Sequence, residues 1–328
     1  MANKKPPRFF DLNRPGRGVT KQAAEKDEKK RYSFGNFFVL TGRNISLLFL
    51  LNLLFLFTNL FLFSALIAMT GNFDTTHLVP AGTNFQTLYG ITRYGFTPAS
   101  VSQWGIFGTL SAVGYASTTT KILYGISFLT LFTFGPTSAG LAYVLRGVVR
   151  GDYVDLGDYF KAIRKNFVQA LFGGIVDLCI TGVFLYAIYF YFLQQSAGGF
   201  GFQLLYFLAL FFFFIYLMMR FHFYLLIVTF KLSLWKAIKN SYILTVAGIK
   251  RNILALIGCG LTVGINIVLF ILLPPIGAIL PFIFTVSFLS LMATFAAYPT
   301  IKRLMIDPYY PDQTPPENAE EAVFTDMG

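Results

Sequence analysis

Six apolar runs in this chain have about the length that a helix needs to cross a lipid bilayer, roughly 20 residues. Charged residues make up only 12% of the 328 residues, against roughly 25% in soluble domains. An ordinary soluble protein is therefore excluded. The sequence predicts an all-α membrane protein whose six transmembrane helices form three helical hairpins, with spans at residues 45–69, 122–145, 170–193, 202–229, 253–273 and 276–298.

Prolines and glycines inside these runs predict how the helices bend and pack. Pro274 and Pro275 separate the last two runs and predict a tight hairpin, because proline stops a helix. Gly135 and Pro136 predict a kink in the second run, which serves either packing or hinge motion. The GxxxG pair Gly260 and Gly264 predicts close contact with another helix, preferably of this chain and otherwise of a second subunit.

The distribution of basic residues predicts the orientation in the membrane. Connecting segments that follow an odd-numbered run and those that follow an even-numbered run lie on opposite sides of the membrane. Of the 26 Lys and Arg residues, only Arg93 and Lys121 lie in a segment that follows an odd-numbered run, and only Arg220 lies inside a run. Short cytoplasmic segments of membrane proteins carry the excess of positive charge, so both termini are expected on the cytoplasmic side. The expected location is the cell (plasma) membrane. The net charge of +11 predicts contact with anionic lipid and not with nucleic acid.

Composition also predicts the domain limits. Residues 1–32 are basic and residues 306–328 are acidic and proline-rich, so both are expected to be disordered cytoplasmic segments around a membrane domain at 33–305. Residues 70–121 form one long exterior loop. Within it, residues 101–113 are predicted to form an interfacial helix anchored by Trp104. The loop is interpreted either as a lid over helix ends or as a docking surface for an external partner or a glycan.

Two similar cytoplasmic segments, at 161–166 and 236–240, predict short amphipathic surface helices. The apolar stripe of the first is predicted to contain Leu156, Tyr159, Phe160, Ile163 and Phe167. In the second helix, Ser233 is the expected N-cap and the stripe contains Trp235, Ile238 and Tyr242. Such helices either lie on the membrane surface of their own chain or dock a partner through Asp158, Tyr159, Phe160, Lys161, Asn166, Trp235, Lys239 and Asn240.

Ionisable residues inside the runs are candidates for function, since charge is costly in the bilayer. Asp177 and Arg220 lie roughly 10 and 13 Å from the cytoplasmic ends of their runs at 1.5 Å per residue. They are therefore expected to meet across antiparallel helices, while His222 points to a different face. The cluster is either part of a substrate path or a structural ion pair, and both interpretations stay open here.

The chain carries no enzymatic motif: it has no phosphate-binding glycine loop, no His-Glu-x-x-His and no nucleophile elbow. A non-enzymatic protein without cofactor or metal is therefore expected. Cys179 and Cys259 both fall inside apolar runs and are expected to be buried thiols without a disulfide.

The stretch GPTSAGLAYVLRGVVRGDYVDLGDYFKAIRKNFVQALFGGI, which begins at Gly135, resembles the signature region of a family of unknown function typified by the bacterial YesL membrane protein. The six-span layout extends this likeness over roughly residues 33–305. The long N-terminal segment and the exterior loop depart from the shorter family core. The matching positions are Gly135, Pro136, Ala139, Arg146, Arg150, Gly151, Asp158, Tyr159, Phe160, Asn166, Phe167, Gln169 and Ala170.

This resemblance implies an accessory role beside a carbohydrate ABC importer. Expected partners are the importer permease subunits, with or without a solute-binding lipoprotein. The alternative from the residues themselves is a channel or transporter with a polar site near Asp177 and Arg220. A membrane regulator or an enzyme of lipid or envelope metabolism is a third hypothesis.

Overall fold

A computed structural model describes residues 31–80 and 110–308, and in this part the chain has the predicted all-α membrane fold. Five helical stretches are long and apolar enough to cross a membrane, and a pair of shorter helices bent by 76° is a sixth candidate. The N-terminal helices are α1 (Phe34–Arg43), α2 (Ile45–Thr58) and α3 (Phe61–Met69). Most of residues 1–32 and 306–328, which are predicted to be disordered, lie outside the described part.

The remaining helices follow a short pair of strands, β1 (Thr75–Pro80) and β2 (Leu110–Tyr115). They are α4 (Thr118–Ser127), α5 (Thr130–Arg150), α6 (Leu156–Gln195), α7 (Gly199–Thr229), α8 (Leu234–Ala247), α9 (Ile249–Leu272), α10 (Pro274–Leu280) and α11 (Val286–Ile301). A π-helical turn, Pro281–Thr285, joins α10 to α11, and a second one, Lys302–Ile306, follows α11.

The first predicted span is broken, since α2 ends at Thr58 and α3 begins at Phe61. Asn59 caps the end of α2 and donates from Nδ2 to Thr137 Oγ1 over 2.9 Å, which ties the break to α5. The helix α1 precedes α2 at an angle of 76°. Phe37 of α1 packs against Phe295 of α11, so α1 belongs to the core of the bundle.

The helices α5 and α6 form an antiparallel hairpin in which the two backbones approach each other closely. A Cβ atom on Gly135 would lie 2.0 Å from the carbonyl oxygen of Ala170, and one on Gly174 would lie 2.3 Å from Cα of Gly135. Helix α5 continues through Pro136, and Phe128 and Leu129 connect α4 to α5 with helical backbone angles. Gly135 and Pro136 lie in the contact with α6, and the kink at this pair stays a prediction.

The first predicted surface helix is not separate from the third span. Both belong to α6, a helix of 40 residues that begins with a capping box between Asp155 and Asp158. Within the predicted stripe, Tyr159 is fully buried, whereas Phe160 and Phe167 are exposed. The inward face instead continues along α6 through the small residues Ala162, Ala170, Gly173 and Gly174 to Asp177.

The second predicted surface helix exists as α8, and it crosses one end of the bundle. Its first residue, Leu234, lies near Gly173 of α6, and its C-cap Gly248 lies beside Thr300 of α11. Ser233 is the N-cap residue, but its side chain makes no capping hydrogen bond. The buried face contains Ala237, Ser241, Leu244 and Thr245, so the predicted stripe of Trp235 and Tyr242 faces outward.

The segment between the first two predicted spans contains two strands in its described part. β1 and β2 pair antiparallel, with Thr75 opposite Tyr115 and Pro80 opposite Leu110. The predicted interfacial helix at 101–113 is wrong for residues 110–113, which belong to β2. Its other residues, including Trp104, lie outside the described residues.

The last two spans meet in the predicted tight hairpin. Helix α9 ends at Leu272 and α10 begins at Pro274, while a Cβ on Gly277 would lie 2.2 Å from the backbone nitrogen of Phe270. Asn52 of α2 donates from Nδ2 to the carbonyl oxygens of Pro281 and Phe282, at 2.9 and 2.7 Å. Its Oδ1 accepts from the Ser287 amide at 3.0 Å. This buried amide therefore satisfies backbone groups beside the π-helical turn.

Two expectations about small and apolar side chains fail in these helices. A Cβ on Gly260 or Gly264 would meet nothing within 4 Å, so no helix of the described residues packs against the GxxxG pair, and contact with a second subunit stays a prediction. Cys179 is exposed and Cys259 is half-buried, whereas burial of both was expected. An apolar residue of a membrane helix can face lipid as readily as protein, which explains both differences.

Candidate functional site

Asp177 of α6 and Arg220 of α7 form an ion pair inside the bundle. Arg220 Nε donates to Asp177 Oδ2 over 2.9 Å. The carboxylate side chain is only 2% exposed, whereas the arginine side chain retains 31% of its accessible surface. The antiparallel arrangement of α6 and α7 places these two residues at the same level.

Two tyrosines complete the environment of the carboxylate. Tyr224 Oη donates to Asp177 Oδ2 over 2.7 Å, and Tyr216 Oη donates to Oδ1 as well as to the Asp177 carbonyl. Sequence reasoning missed both residues. The i, i+4, i+8 spacing of Tyr216, Arg220 and Tyr224 was the signal for them, because that spacing places all three on one face of α7.

Arg220 uses only part of its hydrogen-bonding capacity on Asp177. Its guanidinium carbon lies 5.4 Å from the ring centroid of Phe134, a distance typical of a cation–π contact. Beyond the Nε bond, Arg220 makes no hydrogen bond to another residue of the described part. The two terminal nitrogens therefore remain available.

Arg220 also lines a cavity of about 350 Å³, which Asp177 does not line. Helices α2, α5, α7, α9 and α11 all contribute to its walls. Leucines, alanines and aromatic rings supply most of the lining, and Ser138, Ser290 and Thr294 supply hydroxyl groups. A smaller cavity of about 70 Å³, lined by Asp177, Tyr216, Arg220 and residues of α8 such as Ser241, lies beside the ion pair.

His222 is fully buried but does not join this cluster. Its Nδ1 lies 3.2 Å from the Met218 carbonyl oxygen, and its Nε2 has no hydrogen-bond partner in the described structure. The geometry separates it from the contact of Asp177 and Arg220, although the residue is only two positions from Arg220 in sequence.

A second polar cluster contains one residue that was predicted to contact a partner. Tyr159 Oη lies 3.2 Å from Thr58 Oγ1. At the next residue of the chain, Asn59 Oδ1 accepts a hydrogen bond from Thr133 Oγ1 over 3.3 Å. Because Tyr159 is fully buried, it cannot contact another protein in this conformation. The prediction that Tyr159 is a docking residue is therefore wrong.

The other predicted docking residues differ in accessibility. Asn166 donates to the Ala162 carbonyl oxygen over 3.0 Å and, like Asn240, is half-buried. Asp158 is held in the capping box of α6 and pairs with Lys161 at 3.2 Å. The exposed members of the set are Phe160, Lys161, Trp235 and Lys239.

The chain was compared with family models, curated proteins and solved structures. No family model, curated protein or solved structure matches the chain.

Proposed function

We propose that this chain is a non-enzymatic accessory or scaffold subunit of a membrane transport complex. The observation that carries the proposal is the exposure of an aromatic and basic set on helices that are rigidly joined to the bundle. Trp235 at the start of α8 is 74% exposed, and Lys239 lies one turn further along the same helix. Large aromatic residues are enriched where proteins bind each other.

The four docking residues, Phe160, Lys161, Trp235 and Lys239, lie on helices that are anchored from inside. Gln169 of α6 donates from Nε2 to the Leu232 carbonyl oxygen over 2.6 Å, which joins the start of α8 to α6. A preorganised surface loses little conformational entropy when a partner binds.

The proposed partners are the permease subunits of a carbohydrate ABC importer, with or without its solute-binding lipoprotein. The YesL-like stretch that begins at Gly135 supports this identity. The basic side chains of Lys161 and Lys239 suit either acidic side chains of a permease or anionic lipid. The distribution of Lys and Arg supports a location in the cell membrane with both termini in the cytoplasm.

Affinity purification of the tagged chain in mild detergent, followed by mass spectrometry, tests the proposal. Two importer permeases are expected in stoichiometric amounts with the native chain. Lys161→Glu combined with Lys239→Glu, or Trp235→Ala alone, is expected to release them. Lys121→Glu is the control for Lys161→Glu alone, because it makes the same single charge reversal in the predicted exterior segment.

Recovery of the chain alone in repeated, cross-linked preparations would contradict the proposal. Equal loss of the permeases in Lys121→Glu and in Lys161→Glu would also contradict it, since the effect would then not depend on the cytoplasmic side.

A channel or transporter is the second candidate, and the cavity beside Arg220 is the observation that favours it. In proteoliposomes, solute flux that is lost in Asp177→Asn would support this function. Flux should be largely unchanged by Lys161→Glu and Lys239→Glu, so the two functions predict opposite effects of the same variants.

A further inference from the structure

We propose that the cavity beside Arg220 binds an amphipathic anion, with a carboxylate or phosphate head at the guanidinium and an apolar body along the leucine-rich walls. This inference goes beyond the accessory function. The cavity shares no residue with Phe160, Lys161, Trp235 or Lys239. Ligand binding and partner binding can therefore be lost separately.

The sign of the ligand charge follows from the lining. Of the described residues that form the cavity wall, Arg220 alone is charged, and Asp177 does not line this cavity. Asp177 already accepts hydrogen bonds from Arg220, Tyr216 and Tyr224. The terminal nitrogens of Arg220 are free to bind a second acceptor, which an anion supplies and a cation does not.

A fixed guanidinium makes this a preformed site. The Nε bond to Asp177 holds one edge of the group, and the ring of Phe134 holds its orientation. The remaining edge presents parallel N–H donors, which match the two oxygens of a carboxylate or phosphate. Unpaired donors at this depth in a membrane protein are costly, so a bound anion would stabilise the bundle.

The hydroxyl groups in the cavity wall also favour a ligand with a carboxylate or phosphate head group. Ser138 of α5 and Ser290 and Thr294 of α11 line the cavity, and none makes a side-chain hydrogen bond to another described residue. Hydroxyls donate to anionic oxygens without adding charge. They provide further contacts beside Arg220.

The remaining wall is suited to hydrocarbon. Leu141, Leu217, Leu225, Leu256 and Leu289 line it together with alanine and phenylalanine side chains. The volume of about 350 Å³ lies at the small end of the range of about 300–1,000 Å³ for ligand pockets. A single-chain amphiphile fits this space better than a two-chain lipid held entirely inside.

Cys259 allows a direct test, because this thiol lines the cavity and the only other cysteine is Cys179. The full chain carrying Cys179→Ser is placed in phosphatidylcholine nanodiscs, and the rate of Cys259 alkylation by N-ethylmaleimide is measured. Laurate is the probe, dodecyltrimethylammonium is the cation of the same chain length, and inorganic phosphate is the small anion.

Laurate at ten times its Kd is expected to slow alkylation roughly tenfold by simple occupancy. It should also raise the unfolding temperature, while the cation and inorganic phosphate change neither. Arg220→Gln is expected to abolish both effects. If Arg220→Gln does not fold, two other variants are expected to lose both effects. Arg220→Lys retains a charge opposite Asp177 without the planar fork, and Ala293→Phe fills the cavity and keeps both charges of the ion pair.

Equal protection of Cys259 by laurate and by the cation would overturn the proposal, because binding would then depend on the apolar chain alone and not on the charge of the head group. Protection by inorganic phosphate alone, or unchanged protection in Ala293→Phe, would also overturn it. Mass spectrometry of lipids retained on the purified chain identifies the source of the ligand. An anionic lipid bound to the native chain but not to Arg220→Gln indicates the bilayer, and binding of added laurate alone indicates a free acid.

Discussion

Two pairs of glycines in this bundle have opposite environments. Gly135 and Gly174 lie where α5 and α6 touch, and a Cβ on either would overlap backbone atoms of the other helix. Gly260 and Gly264 have the GxxxG spacing that is typical of helix contact, yet a Cβ on either would meet no atom within 4 Å. The pair with the recognised motif is open, and the pair without it forms the tight contact.

The comparison teaches that small residues permit a helix contact but do not create one. In a bilayer, lipid tails are as apolar as leucine, so an unfilled face of small residues carries little penalty. Backbone approach at Gly135 depends on a second helix that presents Gly174 and Ala170 at the same level.

The largest effect is expected from leucine at the glycine contact. Gly174→Leu should give no monodisperse folded protein, because the obstacle is the backbone of Gly135 and cannot rotate away. Gly260→Leu should leave the elution profile and unfolding temperature of the monomer unchanged. Size-exclusion chromatography of both variants is the measurement. A normal profile for Gly174→Leu would show that the two helices do not cross there.

The ion pairs extend the comparison to charges. Arg220→Gln should lower the free energy of unfolding by about 3 kcal/mol or more, because it leaves a buried carboxylate without its cation. Lys161→Gln removes the exposed partner of Asp158 and should change stability by less than about 1 kcal/mol. Denaturant titration in detergent compares the two, and equal effects would contradict a buried site for Asp177.

The asparagines test the bonds near the π-helical turn. Asn52→Leu removes three hydrogen bonds to backbone groups and should cost about 2–3 kcal/mol, at roughly 1 kcal/mol for each. Asn266→Leu removes one bond, to Thr285 Oγ1, and should cost about 1 kcal/mol. The same titration ranks them, and a larger loss in Asn266→Leu would reverse the expected order.

The smallest effect is expected from a single hydroxyl group. Tyr159→Phe should cost about 1 kcal/mol, because Thr58 Oγ1 loses a buried partner. Tyr242→Phe, at an exposed position on α8, should be neutral. Thermal unfolding of both variants is the measurement. A neutral Tyr159→Phe would contradict this expectation, because the bonds from Thr58 Oγ1 to the carbonyl oxygens of Leu54 and Phe55 already exist and cannot replace the lost one.

The sequence was most informative where a single residue type has one physical effect. Pro274 and Pro275 lack backbone donors, so the hairpin between the last two spans was predictable. Asp177 and Arg220 were predictable as neighbours because opposite charges at similar depths in antiparallel helices stabilise each other. Tyr216 and Tyr224 share the face of Arg220 and were detectable from their spacing alone.

Amphipathic spacing was less informative for the start of α6 and for α8. It placed Phe160 with Tyr159, yet Tyr159 is buried and Phe160 is exposed. The predicted stripe on α8 faces outward, because Ala237 and Ser241 allow closer packing against α6 than Trp235 and Tyr242 would. In a membrane protein, the more apolar face of a helix is not necessarily the inward one.

The sequence by itself determined that the chain is a helical membrane protein, since length and apolarity of a run decide whether a helix can cross a bilayer. Only the tertiary structure decided which faces meet. It placed Gly135 on Gly174, left Gly260 open, and positioned Arg220 between a carboxylate and a cavity. The physical reason is that an apolar side chain has a similar free energy against lipid and against protein. The contacts therefore depend on how well the surfaces of helices that are distant in sequence fit together.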